Sequence, residues 1–268
     1  MRIVTDFSVT SRPLRVGAGT GFVPDSIFSA DDVGAWFDPS DTSTLFADTE
    51  GTLPAQTGHP VALMLDKSGN GNHAAQPTFA SRPMLRQDAQ GRFCLEFNGI
   101  NQRMRTPQIN AIGTNKLQAF LGACKLTNSV GYPLNVNDTD DPGWSLRLPR
   151  VSTGSGIDRF AMRLNDVLSA EHNGNPAPFS GVYTGLGDGD GSPKAVLRIN
   201  GVQRATAGGS TSGNFGNDRL FIGSRSTSAT HFEGYIYGVL VRYGPPLPMD
   251  TIAKVERYIA KRTGVALP

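Results

Sequence analysis

The sequence predicts an all-β protein: a jelly-roll sandwich of two antiparallel sheets, with one C-terminal helix and an N-terminal arm. Three observations carry this. Turn formers are abundant, with 32 Gly and 18 Pro in 268 residues. The 25 basic residues are 19 Arg and only 6 Lys, and the 23 acidic residues are 18 Asp and only 5 Glu. Asp, Gly and Pro populate turns, whereas Lys and Glu populate helix surfaces. Short runs of alternating apolar and polar residues recur from about residue 60, the period of a half-buried strand. Only one stretch, near the C-terminus, repeats at helical spacing.

Residues 1–30 read as an arm. Ile3, Val4, Phe7, Phe22, Val23, Ile27 and Phe28 are short apolar pieces separated by Gly, Pro and Ser. Such a segment cannot bury these groups alone, and each large apolar side chain gains about 1.5–3 kcal/mol on burial. The arm is therefore expected to dock on another chain. A compact segment starts at Asp31 and runs through Trp36 and Phe37 into a turn at Pro39-Ser40-Asp41.

Strands follow. Val61 to Leu65 is one, and Phe93, Leu95 and Phe97 alternate in a second that Asn98-Gly99 ends. Leu117 to Leu126 is apolar on both faces, as a central strand would be. Trp144, Leu146 and Leu148 form one row, Phe160, Met162 and Leu164 another, and Ala195, Leu197 and Ile199 a third. Asn200-Gly201 then marks a hairpin, because both central positions of its turn need φ > 0. Val202 to Arg204 would return, and Leu220 to Ile222 and Phe232 to Tyr243 complete the set. In the helix, Asp250 is placed as N-cap and Ile252, Val255 and Ile259 form the buried stripe. Lys254, Glu256, Arg257 and Lys261 lie off it, and Gly264 closes the last turn.

Composition also bounds function. Net charge is +2, and no run of like charges or basic stripe marks a nucleic-acid partner. No apolar stretch is long enough to span a membrane. The start, with an acid at Asp6, does not resemble a secretion signal. Cys94 and Cys124 sit in strand-like runs and are expected to be buried free thiols.

Three stretches resemble a known family. They are Ala35 to Phe46, Leu65-Asp66-Lys67-Ser68-Gly69-Asn70-Gly71-Asn72-His73-Ala74 with Leu95 to Gly99, and Leu220 to Ser224 with Phe232 to Gly238 and the closing helix. The chain is similar to concanavalin A-like, laminin-G-like domains of bacteriophage and prophage virion proteins. The resemblance implies a concanavalin A-like sandwich over residues 31–268. It implies a non-enzymatic tail, fibre, spike or capsid-surface component, made in the bacterial cytoplasm and located in the virion. Its partners would be other virion proteins through residues 1–30, further copies of itself, and a host surface glycan. From the residues themselves, Asp66, Ser68, Gly69, Asn70, Gly71 and Asn72 read as a rigid turn: the glycines take φ > 0 and the Asp and Ser oxygens accept turn N–H groups.

Catalysis finds little support. Hydrolases of this fold carry Glu-x-Asp-x-x-Glu on one strand, and Glu50, Glu96, Glu171, Glu233 and Glu256 include no such pattern. Gly-x-Ser-x-Gly is absent, and Gly17 to Gly21 lacks the context of a dinucleotide loop. His59, His73, His172 and His231 have no metal-ligand spacing. Calcium is the one cofactor the pattern admits, through Asp138, Asp140 and Asp141 or Asp188 and Asp190. The same loops are the candidate glycan contact: Asp138, Asp140, Asp141, Asp188 and Asp190 would hold hydroxyls, and Trp144 and Tyr183 would stack on a sugar ring.

Overall fold

The computed structural model describes residues 22–29, 32–136, 143–150, 156–227 and 230–268. The early strands are β1 (Val33–Phe37), β2 (Leu45–Phe46), β3 (Leu63–Met64), β4 (Ala74–Ala75), β5 (Met84–Gln87) and β6 (Phe93–Asn98). The middle strands are β7 (Met104–Asn110), β8 (Lys116–Lys125), β9 (Leu134–Val136), β10 (Gly143–Arg147), β11 (Asp158–Arg163) and β12 (Val167–His172). The last are β13 (Phe179–Asp188), β14 (Ala195–Ile199), β15 (Val202–Ala207), β16 (Asn217–Ile222) and β17 (Glu233–Tyr243), followed by helix α1 (Met249–Thr263).

They form two antiparallel sheets, as the composition predicts. The first runs β15-β14-β13-β8-β17-β6-β5, and β1 pairs with β17 on the same side as β6. Residues Glu233 to Ile236 pair with β6, and Val239 to Tyr243 pair with β1, so two strands share one edge end to end. The second runs β12-β11-β10-β9-β16-β7-β4-β3-β2. Alternation turns one side of each strand into the gap between the sheets. Phe97, Leu121, Leu134, Leu146, Phe160 and Leu220 meet there in one continuous core. Lys125 and Asp158 span the same gap as an ion pair, both 0% exposed.

The first sheet's other face is covered by α1. Ile252, Val255 and Ile259 pack on Phe120, Val182, Leu240 and Trp36. This explains why β8 is apolar on both faces: one meets the opposite sheet and the other meets the helix. Gly122 makes the close approach possible, since a Cβ there would stand 2.6 Å from Ile259 Cγ2. Asn200 (φ 52°) and Gly201 (φ 78°) form the expected hairpin turn, and Gly264 (φ 71°) closes α1.

Three expectations are corrected. Asp250 is not the N-cap: Pro248 is, without a side-chain bond, and Asp250 pairs with Lys254 one turn on. Glu256 is not on the solvent side. Its buried carboxylate accepts bonds from Arg198 Nε at 2.8 Å and Thr184 Oγ1 at 2.9 Å. The described part of the arm belongs to this fold. Ile27 is 6% exposed and packs in the α1 cluster with Phe22 and Phe28 against it, while Val23 is exposed. The carbonyl of Ile27 also accepts from Arg242, whose guanidinium pairs with Asp32 at 2.8 Å. Phe22, Ile27 and Phe28 thus find cover on their own sandwich, whereas Val23 does not. Ile3, Val4 and Phe7 lie outside the described residues.

Candidate functional site

The Asp66 turn is a brace between β1 and the following loop. Asp66 Oδ1 accepts from Trp36 N and Ser68 N, both at 2.9 Å, and Oδ2 from Ser68 Oγ and Asn72 N. Asn72 Nδ2 donates to Gly34 O at 2.7 Å, with Asn70 Nδ2 on the same carbonyl at 3.4 Å. Gly69 and Gly71 take φ of 93° and 72°. The polar atoms are turned onto the protein's own backbone.

The loop site drawn from sequence does not assemble as expected. Trp144 is 2% exposed and donates from Nε1 to Tyr243 Oη at 2.8 Å. Tyr183 is 0% exposed and packs edge-on against Phe179. The alternation that puts Trp144 in one row with Leu146 puts that row against the other sheet, so neither ring offers a face to a sugar. Asp188 and Asp190 flank Lys116, whose Nζ lies 3.0 Å from Asp188 Oδ1 and also bonds Asp190. A lysine ammonium thus fills the place a calcium ion would take between them. Asp138, Asp140 and Asp141 lie outside the described residues. Among the described residues no three His, Cys, Asp or Glu side chains converge on a metal position.

A different constellation stands on the outer face of the second sheet. Register places Arg147 of β10 opposite Arg159 of β11, and Arg159 opposite Glu171 of β12. Directly opposed residues share a face, so the three form one row across three strands. Their neighbours Leu146, Phe160 and Ala170 point into the core, which turns the row outward. Arg150, just past β10, donates from Nη1 to Glu171 Oε2 at 3.0 Å. The Arg147 guanidinium lies 4.5 Å from the Tyr132 ring centroid, within cation–π range.

Arg159 is the unusual member. It is 5% exposed, and its Nε donates to no partner. Glu171 Oε1 stands 3.6 Å away, too far for a hydrogen bond. Burial, and then the neighbouring Arg147, push the Arg159 pKa down to about 10, with Arg150 and Arg163 adding to the repulsion. Burial likewise lowers Arg147, and Arg163 and Arg150 lower it further. At about 10, the Arg159 guanidinium still carries its charge at neutral pH. Among the described residues, the row therefore holds Arg147, Arg150 and Arg159 in a partly dry setting around one carboxylate, with one donor unmet. Each of these arginines reads in sequence as an ordinary polar alternant, and only the pairing of three strands brings them together.

No family model and no curated protein matches this sequence. Solved structures do. Domain 4 of AbnA, an extracellular arabinanase of Geobacillus stearothermophilus solved with arabinotriose, matches 84% of this chain and 98% of its own length. That match has a TM-score of 0.53 at 13% identity. The ligand-binding domain of botulinum neurotoxin serotype D, solved with N-acetylneuraminic acid, matches 84% of this chain with a TM-score of 0.54 at 12% identity. The binding domain of the DC toxin with rat synaptotagmin II matches 73% with a TM-score of 0.54 at 11% identity. The chain spans about half the length of the two toxin domains. At such identities the likeness is one of fold: a two-sheet jelly-roll sandwich.

Proposed function

We propose that this chain is a non-enzymatic surface component of a phage or phage-like particle whose sandwich recognises a host-surface glycan. The observation that carries the recognition reading is the arginine row on the outer face of a rigid sheet. A scaffold of paired strands holds such side chains in place more firmly than loops do. The arabinanase domain and the serotype D toxin domain, each solved with a sugar, support carbohydrate binding as a use of this fold.

The virion reading rests on the resemblance of residues 35–46, of 65–74 with 95–99, and of 220–224 with 232–238 to phage sandwich domains. Its docking segment lies in the N-terminal arm that the sequence gives as residues 1–30, and further copies and other virion proteins are its partners. The non-enzymatic reading is supported by how the carboxylates are used. Glu96, Glu171 and Glu256 pair with Arg86, Arg150 and Arg198 at 2.6, 3.0 and 2.8 Å. A general acid needs a carboxyl free to hold and release a proton.

The test is adsorption of the purified, fluorescently labelled protein to host cells before and after periodate oxidation of surface sugars. Binding that periodate abolishes supports glycan recognition. Binding that survives oxidation, or none to any cell of the host strain, overturns it.

A further inference from the structure

We infer that the outer face of the second sheet takes an anionic polysaccharide, with Arg159 and Arg147 gripping a carboxylate, sulfate or phosphate substituent and Glu171 standing where that group binds. This rests on the glycan reading above and narrows it to acidic sugars.

The argument begins with Arg159. A buried arginine is retained at a cost unless each N–H finds an acceptor. Here Nε has none, and the flanking charges are mostly of its own sign. An arriving anion would supply the missing acceptor and relieve the repulsion together. A neutral sugar would do only the first. Guanidinium groups suit this role because their planar fork matches two oxygens of one acidic group.

Glu171 makes the site readable. Its carboxylate is about one-third exposed, bonds Arg150 at 3.0 Å and approaches Arg159 only to 3.6 Å. It is thus a carboxylate already seated on the cluster, held firmly on one side and loosely on the other. A ligand oxygen reaching Arg159 must displace it or share with it. Glu171 is therefore a competitor, and its charge opposes the ligand's. A purely structural ion pair makes the opposite demand, since losing Glu171 would then loosen the face and weaken whatever binds there.

The experiment measures binding of the full chain to four polymers of matched length: polygalacturonate, dextran sulfate, neutral dextran and single-stranded DNA. Titrations are run in low and in physiological salt. Polygalacturonate or dextran sulfate is expected to bind at least tenfold more tightly than dextran, and the binding to weaken with salt. Glu171→Gln is expected to tighten it about threefold or more, and Arg147→Gln to weaken it about tenfold. Arg150→Gln, at the exposed rim, serves as a variant that need not disturb the core. Equal binding of dextran and polygalacturonate overturns the anion inference while leaving glycan recognition standing. DNA binding as tight as the acidic polysaccharide overturns it as well, since the face would then read charge alone. Weaker binding by Glu171→Gln overturns the role given to Glu171. No binding of any polysaccharide, together with periodate-resistant adsorption, brings down both readings.

Discussion

Asp158→Asn isolates the buried charge pair that joins the two sheets. The side chain keeps its shape, so no cavity forms, but Lys125 loses its counter-charge inside the core. Both partners are 0% exposed, so water cannot take over. The mutant amide also ceases to be a charged acceptor for Asn175 Nδ2, now 3.0 Å from Oδ2. Stranding one member of a buried pair costs about 3–5 kcal/mol. A chain of this size loses about 2–4 °C of Tm per kcal/mol, so the expected drop is about 6–20 °C. One further result follows from the same reasoning. The double variant Lys125→Met with Asp158→Leu removes both charges and is expected to be more stable than Asp158→Asn alone. Thermal and urea unfolding followed by circular dichroism measures both. A loss under about 1 kcal/mol, or a double variant worse than the single, would refute the account.

Two further outcomes are expected. Burial alone would raise the Asp38 carboxyl, but bonds from Arg262, Ser40 and Tyr258 outweigh it and hold the pKa below the usual value. The stability this group supplies is therefore present above about pH 4 and is lost as pH falls through its folded pKa. Asp38→Asn should flatten that acid limb in urea titrations at pH 2 to 5, and an unchanged limb would count against the assignment. Gly122→Val places a branched side chain where Ile259 Cγ2 and Thr263 Cγ2 already stand. Overpacking of this kind costs about 1–3 kcal/mol. It should lift α1 and change the emission of Trp36, which packs in the same cluster; native emission and Tm would refute it.

What sequence could reveal here was set by distance along the chain. Local patterns came through intact. Ala195, Leu197 and Ile199 alternate as a strand because one face is buried, and Asn200-Gly201 turns because its backbone requires it. The α1 stripe of Ile252, Val255 and Ile259 follows from helical spacing alone. Direction did not come through. Trp144 reads as a core residue or as a rim aromatic until β10 is paired with β9 and β11. Glu256 looks like a solvent-side helix residue until Arg198, 58 positions earlier, is placed beneath it. The arginine row is the plainest case. Arg147 and Arg159 become neighbours only through the register of β10 and β11, and Glu171 joins them only through β12.

The shared edge of β17 bears on how the protein is made. β1 meets β17 about 200 residues further along the chain, and β6 meets the first half of the same strand. Until β17 is in place, β1 and the β5–β6 pair have no hydrogen-bonded link to β8, β13, β14 and β15. On a ribosome, the first sheet therefore waits as separate pieces while almost the whole chain is synthesised. The last strand to emerge is the one that welds them, and α1 then seals the seam over Gly122. Contacts so distant in sequence make for slow closure. A chain halted or cut ahead of residue 233 would leave open strand edges rather than a smaller domain, and open edges of this kind invite aggregation.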